Sequence, residues 1–162
     1  MTVIAYRDGV MAADSMEADD HQKFLSTKLF KAKGAVIGTS GDSVNSLLFV
    51  DWYGNRKKPK PDLSIDRAFE CLVATTERLE LWTEMLRPQV IDAEYYAIGS
   101  GASVALGAMH AGADAELAVE AACHFARGCR EPVQVEVIKP RKDVECEFSP
   151  VVRLAAKGVN RK

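Results

Sequence analysis

The chain has 162 residues, of which 48% are hydrophobic, and its formal net charge is −2 at pH 7. The near-neutral charge excludes a typical nucleic-acid-binding surface, and no apolar run is long enough to span a bilayer. This length is typical of one domain with its own core, which we expect over residues 1–155, followed by a frayed basic end over residues 156–162. The N-terminus does not resemble a signal peptide, so the protein is expected in the cytoplasm.

Short apolar runs predict that the N-terminal part of the chain is built from strands. The predicted strands are residues 2–6, 10–13, 26–30 and 35–38. Asp8 and Gly9 have the composition of a tight turn between the first two strands. Residues 16–22 are expected to form a polar loop.

A helix is predicted over residues 42–53, directly after these strands. Asp42 is a suitable N-cap, since its carboxylate can accept a hydrogen bond from the first turn. Val44, Leu47, Leu48 and the segment 50–52 with Val50 and Trp52 are expected to give this helix one buried face.

The remaining elements follow from the same hydrophobic periodicities. They are a short helix at residues 64–70, a hairpin at 71–82, a strand at 95–98, helices at 102–111 and 114–127, and strands at 133–138 and 145–152. Asp114 is the predicted N-cap of the last helix.

The cysteines do not indicate a metal site or a disulfide framework. They are Cys71, Cys123, Cys129 and Cys146. Because they are scattered and have no CxxC spacing, free thiols are expected. The three histidines form no ligand cluster along the sequence, which argues against a zinc hydrolase.

Thr2 is the first candidate for a catalytic residue. Removal of Met1 would leave a free α-amine beside the threonine hydroxyl. One such residue can supply both the nucleophile and the general base. A free α-amino group titrates at roughly 7.7–8.0, so a useful fraction is unprotonated near neutrality.

Residues 2–42 resemble the N-terminal part of proteasome β-type subunits and of the bacterial HslV-type peptidases, which are N-terminal-nucleophile hydrolases. The family pattern is a nucleophilic threonine, an aspartate closing the second strand, a lysine on a following strand and a glycine before the first helix. Those positions are Thr2, Asp14, Lys28 and Gly41. Residues 95–101, Tyr-Tyr-Ala-Ile-Gly-Ser-Gly, resemble the family's strand and Gly-Ser-Gly turn. The trimmed chain is also similar to phage-borne relatives of the family.

The resemblance implies roles for five residues. The Thr2 hydroxyl would attack a carbonyl, while the Lys28 ammonium would lower the pKa of the Thr2 amine by like-charge repulsion and stabilise the alkoxide. Asp14 would pair with Lys28. The Gly41 N–H would donate to the oxyanion, and Ser100 would help relay the proton.

Each of these residues also has a structural interpretation when it is taken alone. Asp14 could be an ordinary acid at a strand end, and Lys28 an exposed lysine on an edge strand. Gly41 could be a simple junction before a capped helix, and Ser100 part of a tight turn. The order of the set together with Thr2 favours the catalytic interpretation.

The fold that the resemblance implies is α+β, a four-layer αββα sandwich of two packed antiparallel sheets flanked by helices. Thr2 would lie at the cleft between the sheets. Thr39, Ser40 and residues 16–20 are expected to shape the substrate pocket.

One departure distinguishes this chain from proteasome subunits, which carry an aspartate after the helix at residues 114–127 and a serine three positions later. Ala126 and Cys129 stand at those positions here. The HslV-type branch also lacks the aspartate, and there backbone carbonyls hold a monovalent cation. The matching residues are Cys123, Ala126 and Cys129, so the resemblance implies a structural Na⁺ and no required cofactor.

The implied activity is hydrolysis of polypeptides by an N-terminal threonine endopeptidase. The family works as a homo-oligomeric, self-compartmentalising ring, here a hexamer or heptamer, single or stacked, and fed by an ATP-driven unfoldase. Two alternatives remain open. One is a catalytically silent structural or assembly protein in a phage or prophage setting, and the other is an amidohydrolase of small amides on the same fold.

Overall fold

The computed structural model of the protein describes residues 2–18 and 21–138. The strand predicted at residues 145–152, the frayed end at 156–162 and Cys146 lie outside the described residues. In the part of the chain that is described, no helix has the length and apolarity needed to cross a membrane.

The described elements alternate between groups of strands and helices. The strands are β1 (Ile4–Arg7), β2 (Val10–Ala13), β3 (Met16–Ala18), β4 (Lys23–Leu25), β5 (Leu29–Ala32), β6 (Ala35–Gly41), β7 (Phe69–Ala74), β8 (Leu79–Thr83), β9 (Gln89–Ile91), β10 (Tyr95–Ile98) and β11 (Gln134–Val137). The helices are α1 (Ser43–Gly54), α2 (Ala102–His110) and α3 (Ala115–Phe125).

Two antiparallel sheets form the middle of the molecule. The four-stranded sheet has the order β10-β1-β2-β11, and the five-stranded sheet has the order β5-β6-β7-β8-β9. The strands β3 and β4 pair separately as a hairpin. The predicted hairpin at residues 71–82 is confirmed as β7 and β8, and the predicted strand at residues 95–98 is confirmed as β10.

Three hydrophobic clusters separate four layers. Val3, directly before β1, and Ala5 within it pack against α2 and α3, whereas Ile4 between them points into the core between the two sheets. Successive side chains of a strand point to opposite faces, which explains this alternation. The third cluster lies between the five-stranded sheet and α1, where Phe49 and Trp52 are buried. The predicted four-layer αββα sandwich is therefore confirmed.

The predicted bounds of α1 are confirmed to within one residue, but its predicted buried face is partly wrong, since only Trp52 of the predicted residues is fully buried. Val44, Leu47 and Leu48 are 54%, 58% and 42% exposed. The buried face of α1 instead carries Asn45, Ser46, Phe49 and Trp52. Phe49 decides the orientation, because its ring packs against four other aromatic rings at centroid distances of 5.4–5.9 Å.

The helix predicted at residues 64–70 is also wrong. The side chain of Asn45 donates to the carbonyls of Ser64 and Arg67 at 3.1 and 3.2 Å and accepts from the Ser64 N–H at 3.2 Å. These bonds hold the segment as a turn, and β7 already begins at Phe69, which is buried. A tertiary contact therefore overrides the local helix signal.

Two further differences concern short strands. The predicted polar loop at residues 16–22 is partly wrong, because β3 lies within it and pairs with β4 in the separate hairpin. The strand β9 has no counterpart among the predicted elements and forms an edge of the five-stranded sheet. Both strands contain only three residues, which is too short for a clear alternating pattern.

Candidate active site

The pairing of β1 with β2 places Thr2 beside Asp14. Ile4 is opposite Ala13 in this ladder, so the residue before β1 and the residue after β2 meet at one end of the sheet. The Asp14 N–H donates to the Val3 carbonyl at 3.2 Å, and the Val3 N–H donates to Asp14 Oδ1 at 2.9 Å. The tight hairpin of β1 and β2 therefore brings Thr2 and Asp14 close together, although they are not neighbours in the sequence.

Lys28 reaches this end from the other sheet, since it directly precedes β5. Its ammonium donates to Thr2 Oγ1 at 3.0 Å, to Asp14 Oδ1 at 2.9 Å and to the Met16 carbonyl. Lys28 is 5% exposed, Asp14 is 0% exposed and Thr2 is 6% exposed. This geometry excludes the interpretation of Lys28 as an exposed lysine on an edge strand.

The buried carboxylate of Asp14 is well compensated. Besides Lys28 and the Val3 N–H, it accepts from the Met16 N–H at 3.0 Å and from the Arg130 N–H at 3.3 Å, both on Oδ2. A buried ion pair is tolerated only when such extra donors satisfy the remaining lone pairs. The Asp14 side chain therefore fixes the Lys28 ammonium against Thr2.

Gln134 is a residue at this site that the sequence did not reveal. Its side-chain amide donates to the Ser26 carbonyl at 2.8 Å and to Ser15 Oγ at 2.9 Å, and its Oε1 accepts from the Lys28 N–H at 3.0 Å. It thereby joins β11 to the segment that carries Lys28. A polar residue in an alternating strand gives no signal of this role, because alternation alone predicts a solvent-facing side chain.

The Gly99–Ser100–Gly101 turn covers the other side of Thr2. The Thr2 backbone nitrogen donates to Ser100 Oγ at 3.2 Å, and the Gly101 N–H donates to the Thr2 carbonyl at 3.1 Å. Gly99 has a φ of +88°, and a Cβ at this residue would lie 2.3 Å from the Thr2 carbonyl oxygen. Glycine is therefore required where the turn approaches the Thr2 backbone.

Gly41 is the last residue of β6 and precedes Asp42, which is the N-cap of α1 as predicted. The Asp42 side chain accepts from the Asn45 N–H at 2.9 Å. Gly41 has a φ of +101°, and a Cβ at this position would lie 2.1 Å from the Ala68 carbonyl oxygen. The chain can therefore turn from β6 into α1 beside Thr2 only with a glycine at this point.

Two clefts open on either side of Thr2, and Thr2 and Gly41 line both of them. The first has a volume of about 440 Å³ and is walled mainly by hydroxyl-bearing and charged side chains, among them Glu17, Thr39 and Lys28. The second has a volume of about 550 Å³ and contains Glu70. Both clefts therefore border Thr2.

The three predicted cation-binding residues lie at and beyond the end of α3. Cys123 is in the last turn of the helix, Ala126 is its C-cap and Cys129 is buried near Gly101. Burial, with a smaller contribution from the nearby Asp14 carboxylate, raises the pKa of the Cys123 thiol to about 12 and that of Cys129 to about 11. Neither thiol ionises near neutrality, so neither is a thiolate ligand or a competing nucleophile.

We expect the cysteines of the folded protein to resist alkylation. Burial also raises the pKa of Cys71 well above its ordinary value. With iodoacetamide at pH 8, Cys129 should react about 10²-fold more slowly in the folded than in the unfolded chain, because the thiolate fraction is smaller by that factor. Peptide mass mapping with and without guanidinium measures the ratio. Rapid alkylation of Cys129 in the folded protein would contradict the assignment of a protonated thiol.

Comparison with solved structures finds proteins of the same architecture. Thiobacillus denitrificans BPH in complex with epoxomicin matches with a TM-score of 0.64 and 22% sequence identity, over 86% of this chain and 99% of that chain. A second structure of the same BPH matches with a TM-score of 0.63 and 21% identity, over the same shares of the two chains. Eukaryotic HslV from Trypanosoma brucei matches with a TM-score of 0.62 and 18% identity, over 84% and 97%. No protein-family model and no curated protein sequence matches the chain.

These matches cover 97–99% of the solved chains, with TM-scores of 0.62–0.64. At sequence identities of 18–22%, this structural similarity shows a shared fold. The chain therefore has the same αββα sandwich fold as the HslV and BPH structures.

Proposed function

We propose that the protein is a threonine peptidase of the proteasome and HslV type, in which removal of Met1 exposes Thr2 as the nucleophile. The observation that carries this proposal is the position of Lys28 Nζ, 3.0 Å from Thr2 Oγ1 and 2.9 Å from the buried Asp14 carboxylate. A buried ammonium against a hydroxyl favours the alkoxide that attacks a carbonyl. The shared fold supports the same assignment.

In the first step, the Thr2 hydroxyl proton passes to the Thr2 α-amine, directly or through water. Oγ1 forms a bond to the carbonyl carbon of the substrate, and the carbonyl electron pair moves to its oxygen. The Lys28 ammonium stabilises the negative charge on Oγ1 as the proton leaves. Ser100 Oγ, 3.2 Å from the Thr2 nitrogen, orients the amine that receives the proton.

In the second step, the tetrahedral oxyanion accepts a hydrogen bond from the Gly41 N–H, as we propose from its place between the two clefts. Collapse of this intermediate breaks the C–N bond, and the leaving amine takes the proton from the Thr2 ammonium. Water then attacks the carbonyl carbon of the ester, the Thr2 α-amine removes a proton from this water, and the proton returns to Oγ1 as the C–Oγ1 bond breaks. The carboxylic acid product leaves and Thr2 is restored.

The clefts favour a polypeptide substrate over a small amide. They provide about 440 and 550 Å³ beside Thr2, which suits an extended chain that continues past the scissile bond. A small amide would occupy only one of them. The hydroxyl-bearing and charged side chains of the first cleft suit a polar or small side chain beside the scissile carbonyl.

Self-association into a homo-oligomeric ring is part of the proposal. The outward face of α1, formed by Val44, Leu47 and Leu48, exposes adjacent hydrophobic side chains. Exposed apolar groups of this kind are typical of interfaces. A second copy of the chain is the simplest partner for this face, and an ATP-driven unfoldase would act on the assembled ring.

A monovalent cation site at the end of α3 also remains a proposal. The backbone carbonyls of Cys123, Ala126 and Cys129 would hold it, since the last carbonyls of a helix lack intrahelical partners and oxygen donors suit a hard cation. When bound, the ion would supply structural stability close to the Gly101 turn.

The proposal is tested by intact mass and covalent labelling. We expect the purified protein to lack the mass of Met1 and to form an adduct on Thr2 with a peptide epoxyketone, which requires both the hydroxyl and the free amine. The Thr2→Ala variant should remain unlabelled and cleave no fluorogenic peptide. A protein that lacks Met1 but is neither labelled nor distinguishable from Thr2→Ala in peptide cleavage would contradict the enzyme and favour a silent structural role.

A further inference from the structure

Glu70 connects the two sheets at a point close to Thr2. It lies on β7 of the five-stranded sheet, opposite Ser40 on one side and Thr83 on the other. Its Oε1 accepts a hydrogen bond of 3.0 Å from the N–H of Gly99, which directly follows β10, an edge strand of the four-stranded sheet. The carboxylate thus reaches across the second cleft and holds a turn that belongs to the other sheet.

The turn that Glu70 holds is the one that contacts Thr2. Gly99 approaches the Thr2 carbonyl so closely that a Cβ would lie 2.3 Å from that oxygen. The next two residues hold Thr2 directly, through Ser100 Oγ at 3.2 Å from the Thr2 nitrogen and the Gly101 N–H at 3.1 Å from the Thr2 carbonyl. A displacement of Gly99 would therefore move both contacts to the proposed nucleophile.

The bond has the properties of a positioning contact. It joins an ionised acceptor to a backbone donor, and such charge-assisted hydrogen bonds are stronger than neutral ones. Glu70 is only half-buried and lines the same cleft as Thr2, so its role is not explained by packing alone. Small displacements of a reacting group reduce rates strongly, because a misplacement of about 1 Å costs on the order of 10²-fold.

We propose that Glu70 is a positioning residue for catalysis, which keeps the Gly99 turn, and through it the Thr2 nitrogen, in the reactive position. This inference rests on the proposed peptidase function. The five-stranded sheet would then position Thr2 in two ways, through Lys28 and, by way of Glu70, through the Gly99 turn. The nucleophile is thereby held between two inter-sheet contacts.

The experiment compares three variants with the wild-type protein. Glu70→Ala removes the acceptor, and Glu70→Gln retains a carbonyl acceptor without the charge. Glu77→Gln is the control, since Glu77 carries an exposed carboxylate in the turn between β7 and β8 and lines neither cleft beside Thr2. The measurements are the rate of labelling of Thr2 by a peptide epoxyketone, kcat and KM for a fluorogenic peptide, and amide hydrogen exchange at Gly99.

We expect Glu70→Ala to lower the labelling rate and kcat by about 10- to 100-fold with little change in KM, and to accelerate exchange at the Gly99 amide. Glu70→Gln should restore both rates to within about threefold of wild type, because the acceptor is retained. Glu77→Gln should behave as wild type. The melting temperature of each variant separates this effect from unfolding.

Two results would overturn the inference. One is Glu70→Ala with wild-type labelling and kcat, and the other is an equal loss of rate in Glu77→Gln, which would indicate an effect of charge rather than position. Failure of the proposed function looks different, because the wild-type protein itself would then not be labelled. If amide hydrogen exchange at Gly99 were unchanged in Glu70→Ala, this would contradict the positioning contact even for a protein that the epoxyketone does not label.

Discussion

The Lys28→Met variant is expected to lose peptide cleavage and epoxyketone labelling by about 10²- to 10³-fold, a loss typical of removing one electrostatic stabiliser from a reacting oxygen. Lys28 Nζ lies 3.0 Å from Thr2 Oγ1 and is nearly inaccessible to solvent, so neither water nor another side chain can replace its charge there without rearrangement. Methionine has a similar length and apolar stem but no charge. Steady-state kinetics on the variant measures the loss.

The same substitution is expected to destabilise the fold, since it leaves Asp14 as a buried carboxylate without its counter-ion. Removing one partner of a buried ion pair lowers the free energy of unfolding by about 3–5 kcal/mol. The double variant Asp14→Asn, Lys28→Met removes both charges and should recover a large part of the free energy of unfolding in urea, but none of the activity. This comparison separates the catalytic from the structural contribution of Lys28.

A matched control is available on β5, the strand that follows Lys28. Lys31 forms a surface ion pair with Glu136 and is largely exposed. Lys31→Met should change stability by no more than about 1 kcal/mol and leave peptide cleavage unaffected. Normal turnover in Lys28→Met, or an equal loss in Lys31→Met, would refute the role assigned to Lys28.

Gly41→Ala is the second substitution with a large expected effect. Its new Cβ would lie 2.1 Å from the Ala68 carbonyl oxygen, which belongs to the backbone and cannot rotate away, and the φ of +101° is strained for any residue with a side chain. We expect a loss of about 3 kcal/mol in the free energy of unfolding, with a fall of roughly 10 °C in Tm. Peptide cleavage should fall as well, because the junction of β6 and α1 borders both clefts.

The control for this glycine lies in α2. A Cβ added at Gly107 would meet no atom within 4 Å among the described residues, so Gly107→Ala should be neutral or stabilise the helix by up to about 1 kcal/mol. Thermal unfolding of the two variants measures the contrast. Gly41→Ala with wild-type Tm and activity would contradict the tight junction between β6 and α1.

Local signals in the sequence are sufficient to predict most elements. Asp42 and Asp114 are N-caps as predicted, and both side chains accept from the third residue beyond at 2.9 Å. The bounds of α2 and β10 agree with the prediction to within one residue, since Gly-rich turns flank both elements. The helix predicted at residues 114–127 ends two residues earlier, at Phe125. Caps and turns are encoded by neighbours in the chain, which explains this agreement.

Long-range contacts explain what the sequence does not reveal. The face of α1 depends on the ring cluster around Phe49, whose partners Phe69 and Trp82 lie far along the chain. In the sequence, Gln134 and Glu70 look like ordinary polar residues of strands. Only the packing of the sheets brings Gln134 to the Lys28 N–H and Glu70 to the Gly99 N–H. The candidate set of Thr2, Asp14 and Lys28 comes from the resemblance to a known family, because spacing alone does not predict which strands become neighbours.

The outward face of α1 and the first cleft beside Thr2 share a residue. Leu47 belongs to this face and also to the wall of the 440 Å³ cleft beside Thr2. A molecule that covers the helix therefore also narrows the entrance to that cleft. Under the proposed peptidase function and the proposed self-association through this face, dilution of the protein would therefore alter which peptides it accepts.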